Sequence, residues 1–290
     1  MRVRPEQLAA LAAIVDHGTF DAAARALSVT PSAVSQRVRA LEAAVGHVVV
    51  VRSSPARTTP AGDVLLRMAR QQALVESEAL AALSGTDAPT REVSVAVNAD
   101  SLATWFRAVL ATAAGWTDVT LRLHVEDQDH SSALLRSGAA VAAVTSDAVA
   151  VQGCSVERLG TMRYVPVAAP SVADRLLTRE GPGWAGTPVV RFDRKDELQD
   201  RVLAAQGVRL SPPTHHVPSP GGFVAAVRAG LGWGVVPRDQ LGDDLATGRL
   251  VRLPADDVEV PLHWQCWRLR TATVDRLSAA VRAAARSLDG

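Results

Sequence analysis

The sequence predicts two unlike parts, an N-terminal all-α winged helix-turn-helix head and an α/β body, joined by one long helix. Three observations predict this. Residues 5–45 hold three short helical patterns separated by tight turns, and residues 60–83 keep helical apolar spacing without a break. From residue 91 onward, strand-like apolar runs alternate with helical ones, the rhythm of a parallel sheet covered by helices.

The head begins with Pro5, suited to a first turn, and with Leu8, Leu11, Ala12 and Val15 at helical spacing on one face. His17-Gly18 ends that helix, and a second short one follows, with Phe20 and Asp21 preceding Ala22-Ala23-Ala24-Arg25-Ala26-Leu27. Ser28-Val29 turns into Thr30-Pro31, where Thr30 fits an N-cap and Pro31 the first helical position of a third helix reaching about Val45. Its inner face is Val34, Val38 and Leu41, and its outer face is Ser32, Ser35, Gln36, Arg37 and Arg39. Small hydroxylated residues at a helix tip let backbone approach a duplex. Gln36 suits a base edge, and Arg37 or Arg39 suits guanine or phosphate. A solvated amphipathic helix has the same look, and the continuation separates the two. Val48–Val51 reads as a strand, and Arg52 through Thr58 turns back with Arg52 and Arg57 exposed, which makes a basic wing. The candidate DNA-contacting residues are thus Thr30, Pro31, Ser32, Ser35, Gln36, Arg37, Arg39, Arg52, Arg57 and Thr58.

Thr59-Pro60 caps the long helix, which carries Leu65, Leu66, Ala69, Leu74, Val75, Ala79 and Leu83 over more than one face and so calls for a partner helix, its copy in a second subunit. Residues 1–58 form the head, 59–90 the linker helix with a hinge at Gly85–Pro89, and 91–290 the body.

The body opens with strand Glu92–Val97, helix Ser101–Ala114, strand Val119–Val125, helix Ser131–Ser137 and strand Ala140–Thr145. A second alternating block begins near Tyr164 and runs to about His263. Trp264–Leu269 reads as a strand returning to the first block, and Thr273–Leu288 as a closing helix. The chain therefore crosses twice between lobe I (91–161 and 267–290) and lobe II (162–266), as in periplasmic binding proteins, with a cleft between them. Ligands of such sheets sit at strand carboxyl ends near helix N-termini. That rule selects Asn98, Asp100, Ser101, Thr104, Trp105, Glu126, Asp127, Thr145, Ser146, Phe192, Asp193, Pro218 and Ser219.

Composition bounds the function. The chain has 290 residues, 48% of them hydrophobic and 21% charged, which suits two or three globular domains. No apolar run is long enough to span a bilayer and no secretory signal is evident, so a cytoplasmic protein without a membrane partner is expected. Net charge is +1, but residues 1–60 hold seven arginines against four carboxylates. Cys154 and Cys266 are too few for a disulfide framework or metal site, and the adjacent His215 and His216 point opposite ways in an extended segment. No nucleophile elbow, phosphate loop or dinucleotide fingerprint occurs, and neither Tyr164 nor the cysteines have an evident base. The expectation is a non-enzyme without cofactor or metal.

Three ordered segments carry a resemblance. Phe20-Asp21-Ala22-Ala23-Ala24-Arg25-Ala26-Leu27, Thr30-Pro31-Ser32-Ala33-Val34-Ser35-Gln36-Arg37-Val38-Arg39-Ala40-Leu41-Glu42 and Arg57-Thr58-Thr59-Pro60-Ala61-Gly62 resemble the DNA-binding domain of LysR-type transcriptional regulators. Val97–Phe106, Glu126–His130, Ala143–Ser146, Leu159–Tyr164, Val217–Ser219, Gly230–Gly234 and Trp264–Leu269 are similar to the ArgP/LysG branch of that family, which controls basic-amino-acid export. The resemblance implies a homodimer or homotetramer on double-stranded DNA, acting on RNA polymerase access. It also implies a body that senses L-lysine or L-arginine. The residues suit such an effector: Ser101, Thr145, Ser146 and Ser219 can hold a carboxylate, and Asp100, Glu126, Asp127 and Asp193 can neutralise amino groups. Trp105 either covers an aliphatic stem or packs inside, and packing is favoured. The branch carries a glutamate where this chain has Gly221. The alternatives are an effector-independent architectural DNA-binding protein and a regulator with a different effector.

Overall fold

A computed structural model describes residues 2–84, 90–125, 128–178, 183–209 and 211–289. The head consists of α1 (Pro5–His17), α2 (Phe20–Ala26), α3 (Pro31–Val45) and a two-stranded wing of β1 (Val50–Val51) and β2 (Arg57–Thr58). Thr30 caps α3 by accepting from the Ala33 amide at 3.2 Å, with Pro31 at the first helical position. The wing strand is shorter than Val48–Val51: Val50 and Val51 pair in the ladder with Thr58 and Arg57, while the Val49 amide donates to the Glu42 side chain at 3.0 Å. Leu8, Leu11, Ile14, Val34, Val38 and Leu41 fill the core of the head, closed by Leu66 from α4 (Pro60–Ser84). Thr59 caps α4 through the Gly62 amide at 3.1 Å. A Cβ at Gly62 would overlap the Val49 carbonyl oxygen, so only glycine lets α4 start this close to the wing. The hinge expected at Gly85–Pro89 lies outside the described residues.

Lobe I is built from β3 (Arg91–Val97), α5 (Ala99–Ala103), α6 (Arg107–Ala113), β4 (Val119–Val125), α7 (Gln128–Ser137) and β5 (Ala142–Thr145). The single helix expected over Ser101–Ala114 is two. The break falls at Thr104, whose φ −121° and ψ −112° lie outside helical values and whose hydroxyl donates to the Asp100 carbonyl at 2.6 Å. The long strand β6 (Cys154–Ala168) leads into lobe II, with α8 (Pro170–Leu177), α9 (Gly183–Gly186), β7 (Val189–Arg191), α10 (Leu198–Ala205), β8 (Thr214–His216), α11 (Pro220–Arg228), β9 (Gly234–Pro237), α12 (Arg238–Leu241) and β10 (Val251–Arg252). The chain returns on β11 (Val258–Trp267) and closes with α13 (Ala272–Ala285).

The large sheet has the order β10-β6-β11-β5-β3-β4, with β9 also paired to β6. β3 runs parallel to β4 and β5, whereas β11 is antiparallel to β5 and β6. The returning strand begins at Val258, earlier than Trp264, because β6 and β11 form one continuous ribbon through both lobes. Its register shifts once: Leu262 faces Gly160 and His263 faces Arg158, leaving Leu159 as the extra residue of a bulge. Gly160 takes φ 150°, which side chains other than hydrogen rarely tolerate.

Candidate functional site

Two surfaces gather the residues selected from sequence. On the head, Thr30, Pro31, Ser32, Gln36 and Arg39 are exposed along α3, and Ser35 and Arg37 are half-buried beside them. The Thr30 and Ser32 hydroxyls lie 3.0 Å apart at the helix tip. Exposed Arg52 and Arg57 flank the wing, and the Arg52 guanidinium stacks over Phe20, 5.1 Å from its centroid. Thr58 is half-buried and donates its hydroxyl to Asp63, so its side chain ties the wing to α4. Ion pairs of the head join Arg4 to Glu6 and Arg70 to Asp16, leaving Arg37, Arg39 and Arg57 without a carboxylate partner among the described residues. A protruding helix beside unpaired guanidiniums is an arrangement for phosphate and groove contact.

The second site is a cleft of about 690 Å³ between the lobes, a volume that suits a small molecule. Asn98 and Asp100 enter it from the end of β3, and Thr145 and Ser146 from the end of β5. Phe192, Asp193 and Asp196 enter from the loop after β7, and Pro261 and Leu262 pave the floor. Six residues chosen from sequence thus meet here: Asn98, Asp100, Thr145, Ser146, Phe192 and Asp193.

The others are placed differently. Ser101 is fully buried behind the wall, with no hydrogen-bond partner for its hydroxyl among the described residues. Thr104 serves the backbone break described above, and Trp105 packs inside against Phe106 at 5.6 Å. Ser219 is exposed and caps α11 through the Gly222 amide at 3.3 Å; it does not line the cleft, and neither does exposed Pro218. Pro220 and Phe223 of α11 do. Gly221 is exposed, and a Cβ there would meet nothing within 4 Å. Glu126 and Asp127 lie outside the described residues.

Tyr164, Asp196 and Gln240 line the cleft but were not selected from sequence. Tyr164 sits within a strand and Asp196 five residues past the end of β7, where a rule about strand ends does not look. Asp196 is held by the amides of Phe192 (2.9 Å) and Leu198 (3.2 Å) and by the Gln199 side chain (3.0 Å). Asp193 turns its own loop by accepting from the Lys195 amide at 2.7 Å. Asp100 accepts from the Tyr164 hydroxyl at 3.1 Å. Burial pushes the Asp100 pKa up to about 6; the tyrosine pulls it down and the Asp196 charge adds to the rise. Burial and the neighbouring Asp100 raise Tyr164 well above the usual phenol range. The cleft lining therefore brings the carboxylates of Asp100, Asp193 and Asp196 together with Thr145 and Ser146 at the end of β5.

The ordered motif Trp264–Trp267 is structural. The Trp264 indole donates to Ser278 Oγ at 3.0 Å. Buried Gln265 takes the Val151 amide at 2.9 Å and donates to the Val149 carbonyl at 2.8 Å. Among the described residues there is no group of three or more His, Cys, Asp or Glu suited to a metal ion, and no helix long and apolar enough to cross a membrane.

Comparison with known proteins supplies the family. Residues 5–63 match the model of bacterial regulatory helix-turn-helix proteins of the lysR family, and residues 86–289 match the LysR substrate binding domain. The chain is 46% identical to a lysine export transcriptional regulatory protein, LysG, from Corynebacterium efficiens, over 98% of this chain and 99% of the relative. A crystal structure of ArgP from Mycobacterium tuberculosis superposes with TM-score 0.92 at 49% identity, covering 100% of this chain and 99% of that one. Full-length LysG from Corynebacterium glutamicum with bound effector arginine gives TM-score 0.87 at 43% identity, covering 99% and 100%. With both domain models matched in order and the fold shared along its whole length, the chain belongs to the LysR family of bacterial helix-turn-helix regulators.

Proposed function

We propose that this regulator binds double-stranded DNA through α3 and the wing and senses a cationic amino acid, L-arginine or L-lysine, in its cleft, and that it controls a gene for amino-acid export. The observation that carries the effector assignment is the cleft itself, where Asp100 from one lobe and Asp196 from the other face a site that also holds Thr145 and Ser146. The arginine bound by the Corynebacterium glutamicum relative and the lysine-export name of the Corynebacterium efficiens one support the same ligand class. Exposed Val64, Met68, Val75, Leu80 and Leu83 along α4 support pairing of two subunits through that helix. Bodies pairing again would give a tetramer that spans DNA and changes RNA polymerase access in the cytoplasm. Effector shifts this equilibrium only if it binds one quaternary state better than another.

The test is thermal unfolding of the full-length protein with L-arginine, L-lysine, L-ornithine or neutral amino acids, together with operator binding under the same conditions. Ligand at 100 times its dissociation constant stabilises by about 2.7 kcal/mol, a midpoint shift of a few degrees for a chain this size. A shift with cationic amino acids alone supports the assignment. No shift with any of them, with operator binding intact, refutes it and favours a different effector or an architectural role.

A further inference from the structure

Among the described residues, Asp100 is the carboxylate that lobe I contributes to the cleft wall, and no cation pairs with it. Its hydrogen-bond donor is the hydroxyl of Tyr164, 3.1 Å from Oδ2. Tyr164 is the chain's one tyrosine, and it is only 4% exposed. Its hydroxyl also lies 3.4 Å from the Met162 sulfur, a weak acceptor, so the carboxylate is the stronger acceptor of the hydrogen bond that the phenol donates. Packing alone does not call for this hydroxyl, since phenylalanine fills nearly the same volume.

We propose that Tyr164 is a positioning residue for effector selection: its hydroxyl keeps Asp100 ionised and aimed to accept the cationic end of the bound amino acid. The proposal rests on the reading of the cleft as a cationic amino-acid site. The charged groups facing Asp100 across the cleft are Asp193, Lys195, Asp196 and Glu197 from the loop after β7, and Arg201 from α10. Elements α11 and α12 present only Pro220, Phe223 and Gln240 to it. Burial and the Asp196 charge both favour a protonated Asp100, and the tyrosine opposes them. A protonated Asp100 offers the ligand no charge, so proton and cation compete for one site.

The experiment is calorimetric titration of the full-length protein with L-arginine from pH 5 to 8.5, across which the guanidinium stays charged. Wild-type affinity is expected to be level above pH 7 and about tenfold weaker by pH 5, the penalty for a carboxylate that titrates near 6. In Tyr164→Phe the decline starts at higher pH. Affinity at pH 6 falls about fivefold below wild type and stays within about twofold at pH 8.5, as expected from losing a hydrogen bond to the charged form. Asp100→Asn binds weakly and without pH dependence in this range, and it reports on the same carboxylate should Tyr164→Phe fold poorly. Equal weakening of Tyr164→Phe at every pH, or an unchanged profile, overturns the proposal. So does a pH-dependent decline that survives in Asp100→Asn. Wild type that gives no heat with L-arginine at any pH removes the reading of the cleft, and the proposal with it.

Discussion

Arg70 on the long helix lies 2.5 Å from the Asp16 carboxylate of α1, and its guanidinium also faces the Ser137 carbonyl at the end of α7 at 3.5 Å. One side chain thus touches the DNA-binding head and the body. The other end of α7 reaches the cleft through Ser131.

Arg70→Ala is expected to change stability little, since exposed ion pairs contribute about 0–1 kcal/mol, but to reduce the effect of effector on operator affinity. Operator titrations with and without L-arginine measure this. A variant that keeps the full effector response shows that the coupling does not run through Arg70.

Gln36→Ala is expected to relax sequence preference while leaving binding to random DNA intact, because a base-edge contact carries sequence and little else. Arg57→Ala is expected to weaken binding to every sequence and lower the salt slope by about one. Equal loss on operator and random DNA for Gln36→Ala counts against its role as a reader.

Gly62→Ala places a methyl group against the Val49 carbonyl. Backbone must move to admit it, so a loss of about 1–3 kcal/mol is expected, read as a lower thermal midpoint together with weaker operator binding. Gly221→Ala, where a Cβ meets open space, is the control and should leave stability unchanged or slightly improved.

Glu78 of α4 accepts from the amides of Thr273 (3.0 Å) and Ala272 (3.3 Å), so the linker helix caps the closing helix of the body. Burial alone would raise its pKa, but the hydrogen bonds from Thr273, Thr271 and Ala272 outweigh it and hold the carboxyl below its ordinary value. A depressed carboxylate contributes stability above its unfolded pKa, about 4.3, and loses it as pH falls through the lower folded value. Glu78→Ala is expected to cost about 1 kcal/mol at pH 7, as lost caps do, with the gap from wild type shrinking below pH 4. Thermal unfolding at both pH values checks this, and a gap that stays constant with pH would assign the effect to packing.

Local hydrogen bonds were the most legible in sequence. Thr30-Pro31 and Thr59-Pro60 announce helix starts because donor and acceptor lie three residues apart. The two-part architecture was legible for a similar reason, since apolar periodicity belongs to each element alone. The β6–β11 ribbon was not, because its pairing joins residues about a hundred positions apart, so the returning strand was expected to start six residues late. The break at Thr104 is not legible either, because helical spacing runs on through Ser101–Ala114 while the backbone leaves helical values at that one residue. In the cleft, strand ends pointed to Asp100 and Thr145, but Tyr164 reaches Asp100 across 64 positions of sequence. Ser219 has the residue type of a carboxylate binder and caps its own helix instead.

The bulge at Leu159 interrupts the ladder that β6 and β11 otherwise carry through both lobes. The break falls beside the Gly160–Leu262 pair, and Leu262 lines the cleft together with Pro261, so the one irregular step of the ribbon lies at the cleft. A bulge bends its strand and sharpens the local twist, so the direction in which the ribbon leaves the cleft on either side is set at these few residues.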